Sequence, residues 1–153
     1  MTKPFSLQPL VELAHQKNDN ATKKLGQLNQ QQQSAQQKLE MLQQYRRDYQ
    51  QKFQEAAQQG MGPTDLRNFQ DFINRLDQAI RQQHLVIEKA KSSVQTGRHE
   101  LMDSTRKMRS FDTLAKRHVT AEMKVEAKNE QRLQDEQTGR FAAQHATDKS
   151  GEK

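Results

Sequence analysis

A seven-residue hydrophobic repeat constrains this chain more than any other feature. In the first half, every position that is a multiple of seven, from Leu7 to Ala56, is apolar or aromatic. A second series lies four residues further on: Val11, Asn18, Leu25, Gln32, Leu39, Arg46 and Phe53. Alternating steps of four and three residues predict a long helix that buries one narrow coiled-coil seam.

The same repeat continues through the second half, from Leu66 to Ala115, and then fades. Helical propensity continues to about Gln137, and the following Thr138 and Gly139 are typical of a helix end. The predicted organisation is a single hairpin domain over residues 1–137 and a disordered tail over 138–153. Within the hairpin we expect helix 1 at about 7–58 and helix 2 at about 63–137.

The segment QQGMGPTDLRNFQDF, residues 58–72, is the strong interruption between the two halves. Gly60 and Gly62 can end a helix in left-handed conformations. Pro63 suits the first turn of the next helix, and Asp65 is favoured at its positive end. The sequence therefore predicts a tight reversal near residues 60–63.

If the chain reverses there, the residue numbers of two facing seam positions add up to about 122. Small residues then face large ones in four pairs: Ala35 and Ile87, Leu25 and Gly97, Ala21 and Leu101, Ala14 and Met108. Asn18 faces Ser104, which pairs two polar residues, and Phe53 faces Phe69, which pairs two aromatic residues near the turn. Such complementarity favours an intramolecular hairpin over a parallel dimer, in which small residues would face each other. The expected fold class is all-α, a long two-helix antiparallel coiled-coil hairpin.

Composition agrees with helices that bury only a seam. Only 31% of the 153 residues are hydrophobic, which is too few for a compact globule of this length. The absence of cysteine excludes disulfides and thiolate metal sites. No run approaches the roughly 20 apolar residues of a membrane span, and the first residues do not resemble a signal peptide. We expect a cytoplasmic protein.

The sequence offers no catalytic constellation. Its histidines are His15, His84, His99, His118 and His145, and no two have the helical spacing of a shared metal site. There is no glycine-rich phosphate loop with its lysine. We expect solvated histidines, no catalytic residue, no metal, no cofactor and no enzymatic activity.

A second stripe lies beside the predicted seam, near the turn. Tyr45 and Phe72 are off the seam, and they share helical spacing with residues on their own helices: Lys38, Leu42 and Tyr49 in the first, Leu76, Ala79 and Gln83 in the second. Exposed aromatic side chains on one face indicate a protein-binding patch. The alternative interpretation is a locally wider core.

The basic stretch RKMRSFDTLAKRH, Arg106 to His118, is a further candidate surface. It could meet an acidic protein surface, or it could be a solvated charged face. The net charge of +6 alone would also allow nucleic-acid binding. Interleaved acidic residues, and the lack of a basic region flanking a dimeric zipper, argue against that use.

The stretch RDYQQKFQEAAQQGMGPTDLRNFQDFINRLDQAI resembles the flagellar export FliJ family. A tyrosine-bearing helix and a glycine turn are followed by L-x-N-F-x-x-F-I-x-x-L-x-x-A-I, and the opening PFSLQPLVELAHQK is also similar. The resemblance implies a non-enzymatic component of flagellar type III secretion, similar to the coiled-coil stalk of rotary ATPases. Implied partners are the hexameric export ATPase, the transmembrane export gate protein and export chaperones, with membrane contact only through partners.

The resemblance also implies two binding surfaces. The gate-binding residues would be Leu42, Tyr45, Tyr49, Phe72, Leu76 and Ala79. The ATPase ring would be bound through Leu7, Leu10, Val11, Phe111, Leu114, Lys116 and Arg117. The protein would couple the ATPase to the gate, promote ring assembly, and lie at the inner-membrane face of the flagellar basal body. The alternatives are a generic coiled-coil chaperone or scaffold and a nucleic-acid-binding protein.

Overall fold

Two long helices account for nearly all of the chain. The computed structural model describes residues 3–151, and within that range it contains no β-strand. The first helix, α1, spans Gln8–Gln59, and the second, α2, spans Pro63–Ser150. Contacts divide the chain into a middle unit, Lys17–Thr105, and a terminal unit made of Met1–Gln16 and Arg106–Lys153.

The reversal between the helices uses a single left-handed residue. Gly60 has a φ of +97° and is the only residue with positive φ in the described range. Its amide donates to Ala57 O at 3.2 Å, which closes the last turn of α1. The predicted turn is confirmed, but the expectation of a left-handed Gly62 is wrong. Gly62 instead lies immediately before α2, and its carbonyl accepts from the Leu66 amide of the first helical turn at 3.1 Å.

The middle unit buries the predicted seam most deeply around its centre. Ala35, Leu39 and Ile87 form a buried cluster, against which the partly buried Ile80 packs. Ala35 and Ile87 were expected to face each other, and α1 and α2 do pack together as an antiparallel pair here. The all-α hairpin predicted from the repeat is therefore confirmed.

Two further seam pairs in the middle unit agree with the predicted pairing. A Cβ added at Gly97 would lie 3.4 Å from Leu25 Cδ1 and only 2.9 Å from Leu28 Cδ1. The helices approach closely there because position 97 has no side chain. Asn18 Nδ2 donates to Ser104 Oγ at 3.2 Å, so the two polar seam residues satisfy each other.

Gln83 is a buried polar residue within this seam. Its side chain is only 6% exposed, and its Nε2 donates to Ala35 O at 2.8 Å. A buried amide without a partner would be costly. The bond to the opposite helix removes that cost and favours this pairing over others.

The terminal unit has a thinner seam and an additional clasp. Val11 and Ala14 are buried. Ahead of α1, Lys3 O accepts from His118 Nε2 at 2.8 Å. The Phe5 ring lies 5.3 Å from the His118 ring. Residues 3–5 thus form a strap across α2.

The expectation of solvated histidines is wrong at His118, which is half-buried, whereas His15 is exposed but contacts the opposite helix. His15 Nε2 lies 2.8 Å from Asp112 Oδ1 across the hairpin. His118 holds the strap described above. Both residues sit beside the seam, where an imidazole reaches the opposite chain segment.

One helix boundary also needs correction. We expected α2 to end near residue 137 and a disordered tail to follow, but the helix continues to Ser150. Thr138 Oγ1 donates to Gln134 O at 2.8 Å, so its hydroxyl is satisfied within the helix. Gly139 does not adopt the positive φ that would end it. The grouping of residues 1–137 as one domain stays a prediction.

Candidate functional site

Five aromatic rings meet beside the turn, all in the middle unit. Phe53 stacks on Phe69 with ring centroids 3.8 Å apart, as the seam pairing predicted. Tyr49 stacks on Phe69 at 4.7 Å and approaches Phe72 at 4.4 Å. Tyr45 meets Phe72 edge-on at 6.0 Å. The cluster therefore runs from the seam outward to the surface.

The outermost ring of this cluster is open to solvent. Tyr45 is 52% exposed, whereas Tyr49 and Phe72 are half-buried. A shallow groove of about 410 Å³ lies beside it, lined by Lys38, Met41, Leu42, Gln44, Tyr45 and Asp48. Met41 is 71% exposed. The groove and the Tyr45 ring together form a mainly apolar surface that α1 and α2 leave uncovered. We call it the aromatic surface.

An ion pair also joins α1 and α2 in the middle unit. Arg46 Nε donates to Asp77 Oδ1 at 2.6 Å, and Arg46 Nη2 lies 3.5 Å from Asp77 Oδ2. The hydrogen bond from Arg46 lowers the pKa of Asp77 below its usual value. The same bond raises the pKa of Arg46. The pair therefore adds a polar contact between α1 and α2 in the middle unit.

The structure brings the predicted gate-binding residues into one region but does not expose them equally. Tyr45 is the most accessible of them, and Leu42, Tyr49, Phe72 and Ala79 are half-buried. Leu76 is buried in the seam. It can support the surface but offers little area to a partner.

The predicted ATPase-binding residues all lie in the terminal unit. Leu10, Leu114, Lys116 and Arg117 are exposed, whereas Leu7 and Phe111 are half-buried. Val11 is buried in the seam. The exposed members combine apolar and basic side chains.

Sequence reasoning missed several contributors to these surfaces. Met41 is off both the seam and the aromatic stripe, so periodicity gave no reason to select it. The Arg46–Asp77 pair could have been found from the pairing rule, since the two numbers sum close to the seam value. The contacts of Phe5 required knowing how the chain ahead of α1 folds back.

In residues 3–151 no three side chains of the His, Asp or Glu type come together as a metal site would require. Neither described helix has a stretch both long and apolar enough to cross a membrane.

The chain matches the family model described as "Flagellar FliJ protein" over residues 2–147. The chain belongs to the FliJ family. No curated protein matched it. FliJ membership makes it a component of flagellar type III protein export, and the family is non-enzymatic. The resemblance inferred from the residues around the turn is thereby confirmed.

Proposed function

We propose that this FliJ-family chain is a non-enzymatic coupling protein of flagellar export. It links the hexameric export ATPase to the transmembrane export gate protein and promotes assembly of the ATPase ring. The exposed aromatic surface around Tyr45 carries this proposal, because an antiparallel hairpin does not need it for its own seam.

The gate protein binds at the aromatic surface of the middle unit. Tyr45 offers a half-exposed ring held edge-on by Phe72, and Met41 offers a flexible apolar side chain beside it. Rigid aromatic groups lose little conformational entropy on binding and often dominate interface energies. Tyr49 and Phe72 support the surface from below.

The ATPase ring binds the terminal unit. Leu10 and Leu114 are exposed apolar residues on α1 and α2, and Lys116 and Arg117 lie close to Leu114 in sequence.

Export chaperones are further partners of the same protein. Through these contacts the chain acts in the cytoplasm at the inner-membrane face of the flagellar basal body, and it meets the membrane only through its partners.

Binding of the Tyr45→Ala variant to the isolated cytoplasmic part of the gate protein tests the proposal. We expect the Kd to rise at least about tenfold, as for a truncated interface hot spot. Leu85→Ala is the matched control, because Leu85 is 70% exposed and lies outside the aromatic surface. Its Kd should match that of the wild type.

Circular dichroism must show the same helicity for both variants. Equal affinities of the wild type and the Tyr45→Ala variant would refute the assignment of this surface. A loss of helicity that accounts for the loss of binding would make Tyr45 a core residue instead.

A further inference from the structure

The heptad seam changes phase between the two sides of the turn. In α1 the seam residues nearest the turn are Phe53 and Ala56, and both are half-buried. Alternating steps of four and three residues from Ala56 would put Gln70 and Asn74 on the seam. These two residues are instead exposed, and Ile73 is buried. The seam of α2 therefore lies one residue earlier than the seam of α1 predicts. We call this displacement the seam shift.

The seam shift does not affect the hairpin. The chain reverses its direction at Gly60–Gly62, so each helix can take its own rotation about its axis. Both helices then turn their seams inward, as the stacking of Phe53 on Phe69 at 3.8 Å shows. A reversal is therefore compatible with two seams that are out of phase in the sequence.

The same seam could be buried by a second copy of the chain. The contacts between the helices join α1 to α2, as Gln83 Nε2 to Ala35 O and Arg46 to Asp77 show. None of these contacts requires that both helices belong to one chain. If α1 and α2 formed one continuous helix, two copies could pair with α1 of each against α2 of the other, and such swapping is a low-cost route to dimers. We call this the exchanged dimer.

The seam shift opposes the exchanged dimer. A helix advances about 100° per residue, so in a continuous helix the seams of α1 and α2 would point about 100° apart around the axis. A partner helix that follows one of these seams misses the other. The exchanged dimer would therefore leave apolar residues exposed that the hairpin buries, and exposing apolar surface is unfavourable.

The residues between the helices oppose a continuous helix as well. Gly60 has a φ of +97°, which lies outside the range of a right-handed helix. Pro63 is the first residue of α2 and has no amide hydrogen. Inside a continuous helix its ring would clash with the carbonyl of Gln59. Gly60 and Gly62 also favour a helix less than alanine does, because glycine loses more backbone entropy.

We propose that the seam shift and the residues Gly60, Gly62 and Pro63 together prevent this chain from exchanging helices with a second copy. The glycines and the proline disfavour the continuous helix, and the seam shift prevents such a helix from burying both seams. The inference concerns how the chain selects its own partner helix and does not depend on the proposed function. Removing both obstacles at once should convert the hairpin into the exchanged dimer.

The main test variant combines G60A/G62A/P63A with one alanine inserted between positions 61 and 62. The insertion moves the α2 seam by one residue, so that it continues the steps of four and three set by α1. Alanine at position 60 also disfavours the left-handed conformation that the reversal uses. We expect sedimentation equilibrium to give a dimer of twice the 17.8 kDa chain mass. A variant that stays a monomer overturns the inference.

Two matched controls each keep one of the obstacles. The first has the three substitutions without the insertion, so its seams stay out of phase. The second has the inserted alanine but keeps Gly60, Gly62 and Pro63. We expect the dimer dissociation constant of each control to be at least about tenfold higher than that of the main variant, because each obstacle disfavours the exchanged dimer by itself. If either control dimerises as tightly as the main variant, the obstacle that it keeps has no effect and the inference is overturned.

A cross-link identifies the kind of dimer that forms. The chain has no cysteine, and Asn18 Nδ2 lies 3.2 Å from Ser104 Oγ across the seam. In the main variant, N18C is placed in one copy and S104C in the other, and the mixture is oxidised. A disulfide should then join the two copies, because α1 of one contacts α2 of the other.

The same cysteine pair in the wild-type background is the control and should give no link between copies. A link in that background would show that the wild type already exchanges helices, and it would refute the proposal. A dimer of the main variant without the link consists of two hairpins side by side and also refutes it. Circular dichroism should show at least the wild-type helicity in the main variant, and a dimer with lower helicity contradicts a continuous helix.

Discussion

The middle and terminal units use one heptad repeat for different purposes. In the middle unit, Ala35, Leu39 and Ile87 make a buried cluster, and the aromatic surface is built outward from the seam. In the terminal unit, Val11 and Ala14 are the buried residues, and the exposed Leu10 and Leu114 lie outside the seam. The repeat decides which helices pair. How deeply the seam residues are buried determines stability. The residues beside the seam determine which chemical groups are available to partners.

The largest expected difference between the units is the cost of truncating the seam. Ile87→Ala should lower the free energy of unfolding by about 2–4 kcal/mol, because it leaves a cavity in the buried cluster. Val11→Ala removes two methyl groups from a thinner seam and should cost about 1–1.5 kcal/mol. Urea denaturation followed by circular dichroism measures both. Similar costs at the two sites would mean that the terminal seam is as well packed as the middle one.

A smaller effect should follow from removing the strap. Phe5→Ala deletes the ring that packs on His118. Amide hydrogens of the terminal unit should then exchange about tenfold faster, since an aromatic pair contributes about 0.5–1.5 kcal/mol beyond the area it buries. Exchange in the middle unit should not change. Phe141→Ala is the control, because the Phe141 ring is exposed and meets the His145 ring on its own helix. Equal exchange in the two variants would contradict a stabilising strap.

Glycine substitutions compare the tightest site of the middle unit with an open site of the terminal unit. Gly139→Ala meets nothing within 4 Å and should stabilise the local helix by about 0.5–1 kcal/mol, the usual gain in helix propensity. Gly97→Ala has the same intrinsic gain in helix propensity, but the new methyl group must displace Leu28 Cδ1. Hydrogen exchange around each site should therefore slow at 139 and change less at 97. A full gain at 97 would show that Leu28 moves at no cost.

The smallest expected effect concerns the ion pair between Arg46 and Asp77 in the middle unit. The pKa of Asp77 is lowered in the folded state by its bond to Arg46, so the pair stabilises the fold at pH above the unfolded-state value of about 3.9. That stabilisation is lost as the pH falls through the lower, folded-state pKa. Asp77→Asn should lower the Tm by about 1–2 °C at neutral pH, as is typical of a partly exposed pair. The two melting temperatures should converge in acid. A difference that grows on acidification would reverse the assigned sign.

Much of the fold could be predicted because it depends on local pattern. The alternating apolar steps specify the seam, and the glycines before Pro63 specify where the chain reverses. From the reversal alone, the pairing of Asn18 with Ser104 and of Phe53 with Phe69 follows by counting. These features need no knowledge of distant structure.

The remaining features depend on contacts that periodicity does not describe. The Thr138 hydroxyl donates to Gln134 O within the helix, which continues past this residue. The residue type alone does not reveal whether a threonine ends a helix or bonds within it. The strap depends on a non-helical segment meeting His118. At the aromatic surface, the spacing selected Tyr45 and Phe72 but also selected the buried Leu76, since it does not measure exposure.

The three-residue connection at Gly60–Gly62 has a consequence for assembly. Because it joins two long helices so closely, each helix finds the other at an effective concentration in the millimolar range, whatever the amount of protein present. If the chain were cut there, the two pieces would have to associate from solution, and their pairing would weaken on dilution. The short covalent connection thus replaces a bimolecular encounter with an intramolecular one.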